Sequence, residues 1–241
     1  MIPKIIHYCW FGGNEKPQLA KRCIESWKRY LPDYKIVEWN ETNFDISSNS
    51  YCEEAYKAKK WAFVTDYVRL YALFNYGGIY MDTDVEVLKP LDPFLSEEAF
   101  SGFETKTSVP TGIMASEKKQ PFFGKLLSEY TDKHFFREDG TMDLTTNVTL
   151  ITNACIKAGL SLNGKKQTVE GFTLYPAEYF CPKDVKTHKL KITSQTYTIH
   201  HFDGSWLSKK SKFKNRVTNF LGPNITNILV NIKRLVHKKR K

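Results

Sequence analysis

The chain has 241 residues, 41% of them hydrophobic and 14% aromatic, enough to bury one large core and too apolar for a disordered chain. Its formal charge is +10, yet eleven Lys and Arg and no Asp or Glu fall within residues 207–241, leaving 25 cations against 26 anions elsewhere. A near-neutral globular part thus carries a basic tail, which argues against a nucleic-acid-binding fold, whose cations would be interleaved with aromatics on one face.

The opening MIPKIIHYCWFGG lacks the basic, apolar and small-residue layout of a secretory signal. No apolar run approaches the roughly 20 residues of a spanning helix. Five scattered cysteines, with no C-x-x-C pair, fit reduced thiols rather than a disulfide framework or a zinc site. The expectation from these features is a protein of the cytoplasm or of a membrane surface facing it.

β-Branched and aromatic residues from Pro3 to Phe11 predict a first strand, ended by Gly12-Gly13. Residues 15–30 predict a helix, with Pro17 suited to its first turn and Leu19, Cys23, Ile24 and Trp27 at helical spacing. YKIVEW at 34–39 predicts a second strand, and strand, helix, strand opens an α/β fold. A short helix is expected at 51–60. Residues 61–76 are apolar nearly all round, as in a buried helix, and Gly77-Gly78 ends it. A strand over 79–81 leads into Asp82-Thr83-Asp84, and a further strand covers 85–88. Beyond this, strands are expected at 100–103, 109–115, 172–175 and 196–201, and helices at 121–133 and 145–158. The domain is taken to end near 206. Residues 207–241 read as two amphipathic helices broken at Gly222-Pro223.

Asp82 and Asp84 offer paired hard oxygens suited to Mg²⁺ or Mn²⁺. They follow an apolar strand, and the carboxyl ends of strands are where α/β sheets bind ligands. Asp66 and Arg69 share one face of the preceding helix. Charges on so apolar a helix are costly unless paired or functional.

AFVTDYVRL followed by GGIYMDTD resembles the DXD sugar-binding region of glycosyltransferase family 32. That family includes bacterial capsule and lipooligosaccharide transferases and fungal mannosyltransferases, with the large glucosylating toxins more distant. HYCWFGG at 7–13 and HHFDGSW at 200–206 extend the resemblance; the tail lies outside it. The resemblance implies a GT-A-type fold, a Rossmann-like mixed sheet flanked by helices, with a domain over 1–206 and the basic helical tail over 207–241. It implies a metal-dependent, retaining transfer of a hexose from a nucleotide sugar, a UDP-sugar by the base-stacking Trp10. Site roles follow one by one. Trp10 would stack on the base beside the Cys9 backbone, and Thr65 would lie by the ribose or phosphate. Asp66 and Arg69 would hold the donor sugar, and Tyr80 would contact the nucleotide. Asp82 would bind ribose and metal, and Asp84 metal. Ser205 and Trp206 would close over the β-phosphate.

Adjacent His200 and His201 would point to opposite strand faces. Only one can ligate, and the H-F-x-G-x-W spacing favours His201. Asn147 stands where relatives carry a different pair before a helix, and is a candidate acceptor contact. The acceptor would be a surface glycan or glycolipid, with the tail docking on the anionic inner face of the cell membrane. A sugar nucleotidyltransferase on a related fold, or a non-enzymatic binder of sugar nucleotides or nucleic acid, are the competing readings.

Overall fold

A computed structural model describes residues 1–204 except 110, 111, 185, 186 and 188. The first unit is strand β1 (Ile5–Cys9), helix α1 (Gln18–Tyr30) and strand β2 (Lys35–Trp39), with β1 and β2 parallel. Pro17, expected inside the helix, stands just before it. α1 buries Ala20, Cys23 and Trp27, a stripe at helical spacing. The Trp27 indole donates to the Val85 carbonyl at 2.7 Å.

Helices α2 (Ser50–Lys57) and α3 (Trp61–Tyr76) follow, then β3 (Gly78–Met81) and β4 (Val85–Val87). The Asn49 side chain caps α2 by accepting from the Cys52 amide at 3.0 Å. The chain continues through β5 (Ala99–Gly102), β6 (Ile113–Ser116), α4 (Pro121–Ser128) and α5 (Asn147–Lys157). It then adds β7 (Gln167–Val169), β8 (Phe172–Tyr175), the short α6 (Ala177–Phe180) and β9 (Thr198–His200).

Seven strands form one mixed sheet in the order β2-β1-β3-β6-β5-β8-β7, and β4 pairs with β9 in a separate ribbon. β1 is parallel to β2 and β3, β6 runs antiparallel to β3 and β5, and β5 is parallel to β8. The carboxyl ends of β1, β3 and β5 therefore lie along one edge of the sheet.

Side chains alternate between two cores, as the two-residue strand period requires. Ile79 and Met81 of β3 join Ile6, Trp27 and Val85 on the α1 face. Tyr80 joins Val64, Val68 and Met114 on the α3 face. The expected mixed sheet flanked by helices is thus present. β7 and α6 went unread because elements of three and four residues carry no measurable period. The strand expected from Val109 begins only at Ile113, because residues 104–108 close a turn. Among the described residues no helix is long and apolar enough to cross a membrane. The tail lies outside the described residues.

Candidate active site

β1 has β2 on one side and β3 on the other. The chain reverses its direction of winding between β1 and β3, and such a switch opens a crevice at the carboxyl ends of the strands. A cleft of about 560 Å³ lies there. Its walls include Cys9 at the end of β1 and Trp10 just past it, Trp61, Thr65 and Arg69 from α3, Tyr80 from β3 and Asp82 just past it, and Asp84, Glu104 and His200.

One ligand atom from each of Asp82, Asp84 and His200 lies within 4.8 Å of the others. His200 Nε2 is 3.3 Å from Asp84 Oδ1 and 4.0 Å from Asp82 Oδ2. Burial would neutralise His200, but the neighbouring carboxylates of Asp84 and Asp82 outweigh it and raise its pKa well above the ordinary value. Burial likewise works to raise Asp84, yet His200 and the Asp203 amide hold it below the usual carboxylate range. Asp82 is pushed up by burial, against the charges of Arg69 and His200. Two carboxylate oxygens and an imidazole fit Mn²⁺, and Mg²⁺ less closely because of the nitrogen. Three such ligands would leave coordination positions for phosphate oxygens.

The histidine preference is corrected. His201 Nε2 faces Glu86 Oε2 at 2.8 Å, and the His201 amide donates to the Asp84 carbonyl at 3.0 Å. β9 pairs with β4 so that His200 stands opposite Val85, and successive strand residues point to opposite faces. The imidazole that reaches the aspartates is therefore that of His200. Gly112 makes room for it: a Cβ there would lie 2.7 Å from His200 Nδ1.

Arg69 is buried, with Nη2 3.4 Å from both Asp66 Oδ1 and Asp82 Oδ1. Its Nε donates to the Thr65 carbonyl at 3.2 Å, and its guanidinium lies 4.6 Å from the Tyr80 ring centre. Burial opposes its charge, but Asp82, Tyr80 and Asp66 prevail. The Tyr80 hydroxyl donates to Asp82 Oδ1 at 2.9 Å. Arg69 and Tyr80 together set the orientation of Asp82.

Asp66 stands behind the cleft wall. Its Oδ2 accepts from the Asn147 amide at 3.2 Å, and its carbonyl accepts from Asn147 Nδ2 at 2.8 Å. Burial pushes its carboxyl up to about 6, opposed by Arg69 and the Asn147 amide. Asn147 is 1% exposed, so the acceptor contact suggested for it is corrected to an internal clamp that joins α5 to α3. Trp10 is half-buried on the cleft wall, its indole donating to the Asn14 carbonyl at 2.6 Å. Thr65 Oγ1 donates to the Ala62 carbonyl at 2.8 Å. Ser205 and Trp206 lie outside the described residues. Glu104 was missed in sequence, since a lone glutamate past a strand carries no signal.

A mixed sheet of this order, with two aspartates and a histidine at its switch point, makes the chain an α/β protein with a candidate metal-binding cleft. Residues 17–101 match the family described as "Glycosyltransferase sugar-binding region containing DXD motif". The match contains the central block of the resemblance and leaves the two outer blocks outside. Inositol phosphoceramide mannosyltransferase 3 of Schizosaccharomyces pombe is 32% identical over 133 residues, covering 50% of this chain and 35% of the relative. Mannosyl phosphorylinositol ceramide synthase CSH1 of Saccharomyces cerevisiae is 30% identical over 149 residues, covering 56% and 36%. The chain thus matches only about a third of the length of these relatives. A solved galactosyltransferase, LgtC, aligns with a TM-score of 0.46 at 12% identity over 88% of this chain and 92% of its own. At that similarity the fold rests on the strand order described above.

Proposed function

We propose that the protein is a metal-dependent glycosyltransferase that moves a hexose from a nucleotide sugar to a glycolipid or lipid-linked glycan, with retention at the anomeric carbon. The observation that carries this reading is the convergence of Asp82, Asp84 and His200 at the β1/β3 switch point of a cleft that also holds Trp10. Trp10 offers an aromatic face to a base at the end of β1. Asp82, Asp84 and His200 would hold Mn²⁺, which when bound neutralises charge on a departing diphosphate. Arg69 opposes the effect of burial on Asp82 and helps to aim it. The donor is a UDP-hexose by the stacking face that Trp10 offers at the end of β1. The names of the fungal relatives favour a mannosyl donor as a second reading. Those names also point to a phospholipid-linked acceptor, and the basic segment 207–241 suits a peripheral position on the cytoplasmic face of an anionic membrane.

The test is hydrolysis of UDP- and GDP-hexoses with Mn²⁺. Asp84→Ala is expected to lose metal binding and hydrolysis while keeping its melting transition. Equal activity in that variant would remove the proposal. Retention is checked separately by the anomeric configuration of the glycoside formed, and an inverted product would refute it.

A further inference from the structure

Among the described residues, the Glu104 carboxylate makes no hydrogen bond or ion pair, although it lines the cleft beside His200 and Asp82. The charge of His200 stabilises this half-buried carboxylate from a distance, but its acceptor oxygens receive no hydrogen bond, which leaves them open to the hydroxyls of a ligand. The backbone holds it there firmly. The Glu104 amide donates to the Ser108 carbonyl at 2.9 Å, and Thr105 and Ser108 share a hydroxyl hydrogen bond of 2.8 Å. Phe103 and Val109, both 0% exposed, anchor the two ends of this turn in the core. The Val109 amide also donates to Thr152 Oγ1 of α5 at 3.0 Å.

The sheet order says which part of a ligand meets it. Along one edge stand the carboxyl ends of β1, β3 and β5, carrying Trp10, Asp82 and Glu104 in that order. β1 and β5 are three strand spacings apart, about 14 Å at roughly 4.8 Å each. A base stacked at β1 and a diphosphate at the metal ligands past β3 direct the remaining sugar toward β5. Asp66, the carboxylate expected to meet that sugar, is instead engaged with Asn147 and Arg69 behind the wall.

We infer that Glu104 is the carboxylate that accepts hydrogen bonds from the hydroxyls of the donor hexose, fixing the sugar at the carboxyl end of β5. This rests on the glycosyltransferase reading above. A carboxylate accepts from two neighbouring hydroxyls at once, which gives it a part in selecting the hexose.

The test is calorimetric binding to the full chain with Mn²⁺, comparing UDP with UDP-glucose and GDP with GDP-mannose. In Glu104→Gln, affinity for Mn²⁺ and for the nucleoside diphosphate is expected to stay within about twofold, which also reports an intact fold. Affinity for the nucleotide sugar is expected to fall about tenfold or more, as for loss of a hydrogen bond to a charged group. Glu104→Ala should lose at least as much. Unchanged sugar-nucleotide affinity would overturn the inference while Asp84→Ala still tests the wider function. A parallel loss of Mn²⁺ or diphosphate binding would make Glu104 part of the metal site and overturn it too. A wild type that binds no nucleotide would overturn both readings.

Discussion

Arg69 is the side chain on which the others depend. Its guanidinium lies between Asp66 and Asp82, 3.4 Å from each, and all three are buried or nearly so. Removing it leaves Asp66 without the cation beside it and Asp82 with His200 alone, 4.0 Å away. Arg69→Met is expected to cost about 3–5 kcal/mol of stability, as for other broken buried ion pairs. Adding Asp66→Asn should recover part of that, because one orphaned charge goes with it. Urea unfolding of the three variants checks the cycle, and an additive result would mean that Asp66 and Arg69 are not coupled.

His7 is a second buried group with both nitrogens in use. Nε2 donates to the Gly77 carbonyl at 2.8 Å, and Nδ1 accepts from the Trp39 indole at 3.1 Å. Burial lowers its pKa from 6.5 to about 4. The unfolded chain therefore binds the extra proton first as pH falls. The contribution of His7 is full above 6.5 and is lost progressively between 6.5 and 4, by about 3 kcal/mol. Asp66, raised to about 6, acts in the opposite sense over much of this window. The informative quantity is thus the stability gap between wild type and His7→Gln. It should narrow on acidification from pH 6.5 to 4, and a gap that stays constant would show that His7 does not titrate in this way.

At the scale of elements, two glycines set the site's geometry. Gly78 has φ of 107°, and a Cβ there would lie 2.5 Å from the Ile5 carbonyl oxygen. Gly78→Ala would force β3 away from β1 and open the switch point, at an expected cost of about 2–3 kcal/mol; thermal unfolding measures it. Gly112 touches two of the proposed metal ligands: its carbonyl accepts from the Asp82 amide at 2.8 Å, and its missing side chain seats the His200 ring. Gly112→Ala should weaken Mn²⁺ binding by about tenfold with little change in melting temperature. Unchanged metal affinity would place His200 outside the metal site. The elements themselves were largely legible in sequence. Residues 61–76 and 172–175 appear with the expected bounds, since long apolar or β-branched runs broken by glycine or proline leave few alternatives. The faces of β9 were not legible. His200 and His201 are equivalent until pairing with β4 fixes which one looks toward the aspartates.

For the whole molecule, charge and fold pull apart. The described domain contains the cleft, while the cations excess to neutrality lie in 207–241, where the segment's chemistry rather than its structure supports membrane docking. Deleting 207–241 is expected to abolish flotation with phosphatidylserine vesicles and leave nucleotide-sugar hydrolysis unchanged. Equal flotation would rule out docking through the tail.

The stretch from Trp61 to Asp84 determined the family resemblance, the α/β class and the aspartate pair, because a buried helix, a glycine break and a strand ending on two acids are local patterns of hydrophobicity and backbone freedom. Only the tertiary structure chose His200 over His201, moved Asp66 and Asn147 into a clamp behind the wall, and brought Glu104 into the cleft. The reason is physical: which residues meet across a cleft depends on strand order and register, which join positions as far apart as Trp10, Glu104 and His200, and no local period records that.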